Sequence, residues 1–298
     1  MWIPITIFAA FAQTVRNAAQ RHLVSELGTL GATLVRFLYG LPFALAWLAI
    51  LAIATKEVVQ APSVTFLSWC AVGALGQIAA TALLLQTMRE RNFAVGVAYS
   101  KTEVVQVAVF SLALLGDRIN LATGLAVASG TVGVLLLAPA DPQRPFASLV
   151  EGFASRSALL GIGCGAGFAI AAVAFRAATQ AAGESSPALA AALALVVAQA
   201  MQTLVLGGWL LVRRPDVVAR TLRAWRVSLF AGFMGAAASA AWFTAFAIQS
   251  VTYVRTLGLV EMLFSYVVSR RLFREQLRGR EIAGMLLIVA GAVVITLA

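Results

Sequence analysis

The sequence predicts an all-α integral membrane protein in which ten transmembrane helices form two inverted five-helix repeats around a central cavity. Three observations lead to this fold class: the composition, the recurrence of apolar segments, and a likeness between the two halves of the chain. Hydrophobic residues make up 61% of the 298 residues and charged residues only 11%. Soluble domains are about half apolar and a quarter charged. The composition therefore excludes an ordinary water-soluble enzyme, a disordered chain and a nucleic-acid-binding protein.

Ten apolar segments approach or exceed the roughly 20 residues that a bilayer-spanning helix needs. They cover residues 3–23, 29–54, 65–88, 93–115, 120–138, 157–179, 187–212, 227–249, 251–271 and 281–298. No positively charged region precedes the first segment, so we expect a permanent span rather than a cleaved signal peptide. The longest break contains three prolines and follows the fifth segment. It divides the chain into a first repeat (1–140), a cytoplasmic linker (141–156) and a second repeat (157–298).

The two halves align when the third and fourth segments are shifted forward by 158 positions. Glu103 then falls on Glu261, and Asp117 falls on Glu275. The first and sixth segments also share a similar stretch that begins with an arginine. These matches keep the same order along both halves, which indicates an internal duplication.

Positive charge predicts the orientation, since cytoplasmic loops of membrane proteins are enriched in Lys and Arg. Loops after the odd-numbered segments carry fifteen arginines, whereas loops after the even-numbered segments carry only Lys56 and Arg118. We therefore expect the odd-numbered loops in the cytoplasm and both termini in the periplasm. Five spans per half require the second half to enter from the opposite side. Equivalent loops then reverse in charge: residues 89–91 are basic, whereas residues 249–251 are not.

Each half has an acidic residue between its last two spans, in Gly116-Asp117 and Arg274-Glu275, and then a glycine-bearing last span. Together with the two five-span halves, these features resemble the EamA type of the drug/metabolite transporter superfamily, and most of all its bacterial exporters of aromatic and other neutral amino acids. The resemblance implies a multi-pass protein of the inner membrane that moves its substrate by alternating access. Small pumps of this superfamily use a membrane Glu in their first span. The first span here has no carboxylate, so that mechanism does not carry over.

Two carboxylates lie about ten residues or more into their spans, where charged side chains mark a pathway or a buried pair. Glu103 is in the fourth span and Glu261 in the ninth. Each is a candidate site for a substrate ammonium or a proton, and the alternative for each is a structural glutamate. Lys101 is two residues from Glu103, so their side chains point to different helix faces and we expect no pair between them.

Other polar and aromatic residues complete the candidate cavity. Gln13 and Asn17 share one stripe of the first span, which predicts that this span borders the pathway. Tyr99 is one turn before Glu103, where it offers a ring and a hydroxyl to a substrate or to a neighbouring helix. The candidate residues on other spans are Gln77, Trp242, Tyr253 and Arg255. Arg255 either attracts a substrate carboxylate or extends towards the headgroups.

Pro42 interrupts the second segment near its centre. A proline inside a helix removes a hydrogen bond and produces a kink. We therefore treat Pro42 as a candidate hinge for alternating access.

The function most compatible with these features is export of amino acids or similar small metabolites. One alternative is a transporter of organic anions such as sugar phosphates, and another is a proton-coupled multidrug exporter. We predict no cofactor, no metal, no nucleic-acid partner and no catalytic residue. The expected partners are a small-molecule substrate, membrane lipid and, in the proton-coupled case, protons. Two related halves form a complete unit, so a monomer suffices.

Overall fold

The computed structural model describes residues 1–57, 59–103, 106, 121–137, 155–183, 186–249 and 251–297. All regular structure in these ranges is helical. Most of the predicted linker, the later part of the fourth segment, and Asp117 lie outside the described residues.

The described residues of the first half of the chain form five helices with defined bounds. They are α1 (Trp2–Leu38), α2 (Leu41–Thr55), α3 (Val64–Glu90), α4 (Phe93–Ser100) and α5 (Leu121–Leu137). The bounds of α3 and α5 follow the third and fifth predicted segments closely. The first two segments differ, because α1 continues past the predicted break at 24–28 and α2 begins only at Leu41. The fourth segment differs, because α4 ends at Ser100, well inside the predicted span.

The helices of the second half are more interrupted. They are α6 (Arg156–Gln180), α7 (Pro187–Gln202), α8 (Gly208–Arg213), α9 (Pro215–Arg223), α10 (Trp225–Ile248), α11 (Val251–Leu257), α12 (Glu261–Arg271) and α13 (Gly279–Leu297). A π-helical turn joins α7 to α8, and a 3₁₀ turn joins α11 to α12. The amphipathic α9 occupies a region that the sequence analysis treated as a loop.

Five stretches of the described chain are long and apolar enough to cross a membrane. They are Trp2–Thr55, Val64–Glu90, Arg156–Gln180, Pro187–Arg213 and Trp225–Ile248. The first has 54 residues, about twice the length of one crossing. It contains a break at Gly28, whose φ of 70° and ψ of 171° are not helical. Glycine suits this position because a side chain would strain a backbone with positive φ. The full set of ten spans remains a prediction.

A second interruption lies at Tyr39 and Gly40, between α1 and α2. Pro42 stands in the first turn of α2, where its missing N–H leaves no internal bond unmade. The candidate hinge residue therefore borders a real break in the helix.

Helices of the first half of the chain pack mainly against helices of the second half. The most extensive contacts are α1 with α10 and α3 with α6, followed by α5 with α13. Small residues permit close approach: Gly133 and Gly284 face each other, as do Gly76 and Gly167. The first three contacts each pair a helix of one half with a helix of the other, as two related halves would produce. The inverted relationship itself stays a prediction.

Candidate functional site

Two ion pairs cross the centre of the helix bundle. The Lys101 ammonium pairs with Oε2 of Glu261, and Nη1 of Arg255 lies 3.2 Å from Oε1 of Glu103. Lys101 and the two carboxylates are at least 97% buried. Each pair joins the fourth predicted segment to the ninth, so the carboxylate of each segment is neutralised by a cation from the other.

Interrupted helices position both pairs. After α4 ends at Ser100, Lys101 and Thr102 form a turn whose amides donate to carbonyls only three residues back. The 3₁₀ turn Gly258–Val260 directly precedes Glu261. A shift of 158 positions places the first turn over residues 259 and 260, so the two interruptions occupy equivalent positions of the predicted repeat. Discontinuous helices of this kind form the substrate and ion sites of many secondary transporters.

Residues of α1 complete the environment of Glu261. Gln13 donates from Nε2 to Oε2 of Glu261 at 2.7 Å, and Asn17 donates from Nδ2 to Oε1 at 3.1 Å. Gln13 also accepts a hydrogen bond of 2.9 Å from the indole of Trp242. The polar stripe predicted for the first span therefore faces the charged centre.

Aromatic rings surround the Arg255 guanidinium. Its central carbon lies 4.9 Å from the ring centroid of Trp242 and 5.1 Å from that of Phe246. The two rings are nearly parallel, with 23° between their planes. Trp242 also packs tightly on the 3₁₀ turn, because a Cβ at Gly258 would lie 2.5 Å from its Cη2. Cation–π contacts of this type are strongest where the cation is desolvated.

A small cavity lies beside these residues. Its polar lining consists of Gln13, Arg36, Gln77, Ser239, Trp242 and Arg255. Its volume is about 10 Å³, which is roughly the room one water needs. Ligand pockets commonly measure about 300–1,000 Å³. In this structure, the cavity at the centre of the bundle is therefore too small for a solute.

Two further arginines lie in the same region with their side chains buried. Arg16 donates from Nη2 to Oδ1 of Asn17 at 2.7 Å. Arg36 donates from Nη1 to Thr81 at 2.9 Å and makes a longer contact of 3.5 Å with Ser239. From the sequence, both are candidates for the clamp of an organic-anion transporter, although the predicted cavity residues do not include them. Their positions in the sequence indicate a role in the core, since both stand well inside apolar segments without an acidic residue one turn away.

Some predicted site residues lie elsewhere. The ring of Tyr99 packs against Gly161 of α6, where a Cβ would lie 2.4 Å from the ring. Tyr253 is about half exposed. Neither lines the central cavity, and the turn at Lys101 separates Tyr99 from Glu103. Gln77 lines the cavity and accepts a hydrogen bond of 2.7 Å from Gln202.

A second polar cluster closes one end of the bundle, which we call the basic end. Its core is Glu275, which pairs with Arg21 at 2.5 Å and accepts from Ser269 and from the backbone N–H of Phe93. Beside it, Arg91 pairs with Glu281 at 2.9 Å. Both ion pairs join the first half of the chain to the second. The surrounding polar cavity has a volume of about 570 Å³.

Among the described residues, no three His, Cys, Asp or Glu side chains are grouped so as to hold a metal ion. Cys70 and Cys164 are free and buried.

The EamA-like transporter family matches residues 156–297. The second half of the chain belongs to this family. The family is part of the drug/metabolite transporter superfamily, so the resemblance stated from the sequence is confirmed at that level. An EamA-like domain in a chain of apolar helices points to a multi-pass membrane transporter of small solutes rather than to an enzyme.

One solved structure, titled only "Crystal structure of protein", is similar to the chain along nearly its whole length. It covers 99% of this chain and 98% of its own, with a TM-score of 0.57 and 19% sequence identity. At that identity the likeness shows that the fold is shared. Curated proteins give no match to this EamA-like chain.

Proposed function

We propose that this EamA-like chain is a secondary transporter that exports aromatic or other neutral amino acids across the bacterial inner membrane, with both termini in the periplasm. In this proposal two inverted repeats, 1–140 and 157–298, joined by a linker at 141–156, alternate in exposing a central site. A monomer contains both repeats and suffices for transport.

The observation that carries the proposal is the crossed arrangement of the two central ion pairs. A charge within a bilayer is costly and is tolerated when it is paired or serves a pathway. Lys101–Glu261 and Glu103–Arg255 tie the interrupted helices of the two halves together. Because each pair has one partner in each half, relative motion of the halves must rearrange both pairs. Substrate groups that replace one partner of a pair can lower the barrier to that motion.

Trp242 and Phe246 support an aromatic substrate. Their near-parallel rings hold the Arg255 guanidinium, and an aromatic side chain could stack in its place once the bundle opens. Oε2 of Glu103 is buried and has no hydrogen-bond partner within the described part of the chain. A substrate ammonium or a proton would supply one, which leaves proton coupling within the proposal.

Flux of radiolabelled tryptophan and phenylalanine in proteoliposomes tests this function. We expect saturable counterflow that is reduced at least tenfold by Trp242→Ala. The matched control is Trp209→Ala, because Trp209 is half exposed on the outer surface of the helices. If the native protein transports neither of them, nor any other neutral amino acid in the same assay, amino-acid export is excluded.

A second candidate, transport of organic anions, is favoured by the charge of the core. Arg16, Arg36, Lys101 and Arg255 face only Glu103 and Glu261 among the ionisable side chains described there. Counterflow of sugar phosphates in the same vesicles separates the two candidates.

A further inference from the structure

Arg16 and Arg36 are buried without an acidic partner among the described residues. Arg16 has no exposed surface and Arg36 only 2%. Nε and Nη1 of Arg16 and Nε of Arg36 make no hydrogen bond to any residue that the structure describes. Buried polar groups are almost always bonded, and an unbonded N–H of a charged group is especially costly. Three such donors in one region therefore indicate that a ligand satisfies them in part of the cycle.

The two side chains are neighbours. A Cβ built on Gly235 of α10 would lie 3.2 Å from Cδ of Arg16 and 3.4 Å from Cγ of Arg36. The absence of a side chain at Gly235 thus lets both arginines from α1 approach the same point on α10. The aliphatic stems of the two arginines therefore meet at one point in the core.

The positive charges of Arg16 and Arg36 are not balanced by the two central carboxylates. The two central carboxylates are already engaged, Glu261 with Lys101 and Glu103 with Arg255. Arg16 and Arg36 are left as two positive charges whose bonding partners, where they have any, are neutral amide and hydroxyl oxygens. Isolated charges are strongly disfavoured in a low-dielectric interior. An anionic group would lower the energy of this region.

We propose that Arg16 and Arg36 form the subsite that binds the carboxylate of the transported solute. A guanidinium presents paired N–H donors that match the two oxygens of a carboxylate. Arg36 lines the same small cavity as Trp242 and Phe246. When the carboxylate of an aromatic solute binds Arg36, its aromatic side chain can therefore contact these two rings. The assignment deepens the proposed function and rests on it for the aromatic part of the solute.

Binding of four related probes to the purified full-length protein tests the subsite. The probes are L-phenylalanine, 3-phenylpropanoate, which lacks the ammonium, 2-phenylethylamine, which lacks the carboxylate, and phenyl phosphate. We expect the two carboxylates to bind at least tenfold more tightly than the amine. Equal or tighter binding of the amine, or no binding of either carboxylate, overturns the proposal. Much tighter binding of phenyl phosphate also overturns it, in favour of a phosphate site.

Substitutions then locate the effect. Arg16→Gln and Arg36→Gln should each weaken the carboxylate probes about 10- to 100-fold, as expected for loss of a hydrogen bond to a charged group. Arg16→Lys should weaken them less, because it keeps the charge but loses the paired donors. The control is Arg220→Gln on the exposed face of α9. Since each variant is judged by its ratio of acid to amine affinity, partial loss of folded protein does not alter the result. An unchanged ratio in both Gln variants contradicts the subsite.

The outcomes separate the two proposals. If phenylalanine is transported but the amine binds as well as the acid, the carboxylate subsite is wrong and amino-acid export stands. If 3-phenylpropanoate binds in an arginine-dependent manner while no amino acid is transported, the subsite stands and the amino-acid assignment is wrong.

Discussion

Glu103 and Glu261 lie 158 residues apart, and each is neutralised by a cation from the chain segment that carries the other. Each also follows a short interruption of its helix. A buried ion pair contributes little net stability, but removal of one partner leaves an uncompensated charge. The arrangement is therefore suited to a rearrangement in which a solute exchanges with one partner.

The first prediction concerns the coupling between Lys101 and Glu261. Glu261→Gln leaves the buried ammonium of Lys101 without a counter-charge, so we expect a loss of about 3–5 kcal/mol of stability. Lys101→Met should cost a similar amount, whereas the double variant should cost much less than the sum. Unfolding in detergent micelles, followed as a double-mutant cycle, measures the coupling.

The exposed pair Arg220–Asp216 on α9 is the control for that cycle. Pairs of this kind contribute about 0–1 kcal/mol. If the double variant of Lys101 and Glu261 proves additive, the two side chains are not coupled in the protein.

Much of this fold could be predicted from the sequence, because the length and spacing of the apolar segments largely determine where its long helices lie. The bounds of α3 and α6 follow the predicted third and sixth segments closely, and Gly28 falls in the break between the first two. Gln13 and Asn17 of the predicted polar stripe both donate to Glu261, and the border of this span on a transport pathway stays a prediction.

The helix interruptions could not be predicted in the same way. Hydropathy does not distinguish a continuous span from one broken at Lys101 or at Gly258, because a broken span is equally apolar. The partners of Lys101 and Arg255 depend on how two distant segments meet, and sequence spacing excluded only the local pair with Glu103. Tyr99 was assigned to the cavity from helical spacing, which fails across the turn at Lys101.

A second prediction concerns the basic end, where Glu275 ties Arg21 to Ser269 and to the start of α4. Glu275→Gln removes the ion pair and weakens the closure between the halves. A hydrogen bond to a charged group contributes about 1.5–3 kcal/mol, so we expect the open form to become at least tenfold more populated. Alkylation of the buried Cys164 by a maleimide, in a Cys70→Ala background, measures this opening.

The matched control for that experiment is Arg220→Gln, which changes an exposed charge that takes no part in the ion pairs of the basic end. An alkylation rate of Cys164 that stays the same in Glu275→Gln as in the control would show that Glu275 does not hold the basic end closed.

A third prediction concerns Tyr99 and the glycine against which it packs. The Tyr99 hydroxyl is buried without a hydrogen-bond partner, so Tyr99→Phe should leave stability within about 0.5 kcal/mol of the native value or raise it. Gly161→Ala places a methyl group 2.4 Å from the ring and should destabilise by about 1–3 kcal/mol through overpacking. Melting in micelles measures both. A large loss of transport in a stable Tyr99→Phe protein would return this residue to the substrate pathway.

The last prediction concerns Pro42 at the break between α1 and α2. Proline has no N–H to donate to the carbonyl of Leu38, which separates the hydrogen-bond ladders of the two helices. Pro42→Ala supplies that donor and should favour a continuous helix, so the change of conformation becomes slower while the central site is unaltered. We expect the maximal flux to fall about three- to tenfold with little change in the substrate concentration at half-maximal flux, corresponding to a barrier raised by about 1 kcal/mol.

Pro4→Ala is the control, since Pro4 lies in the first turn of α1, where proline removes no internal bond. Equal fluxes for Pro42→Ala and Pro4→Ala would show that the break at Tyr39 and Gly40 is a fixed bend and not a hinge.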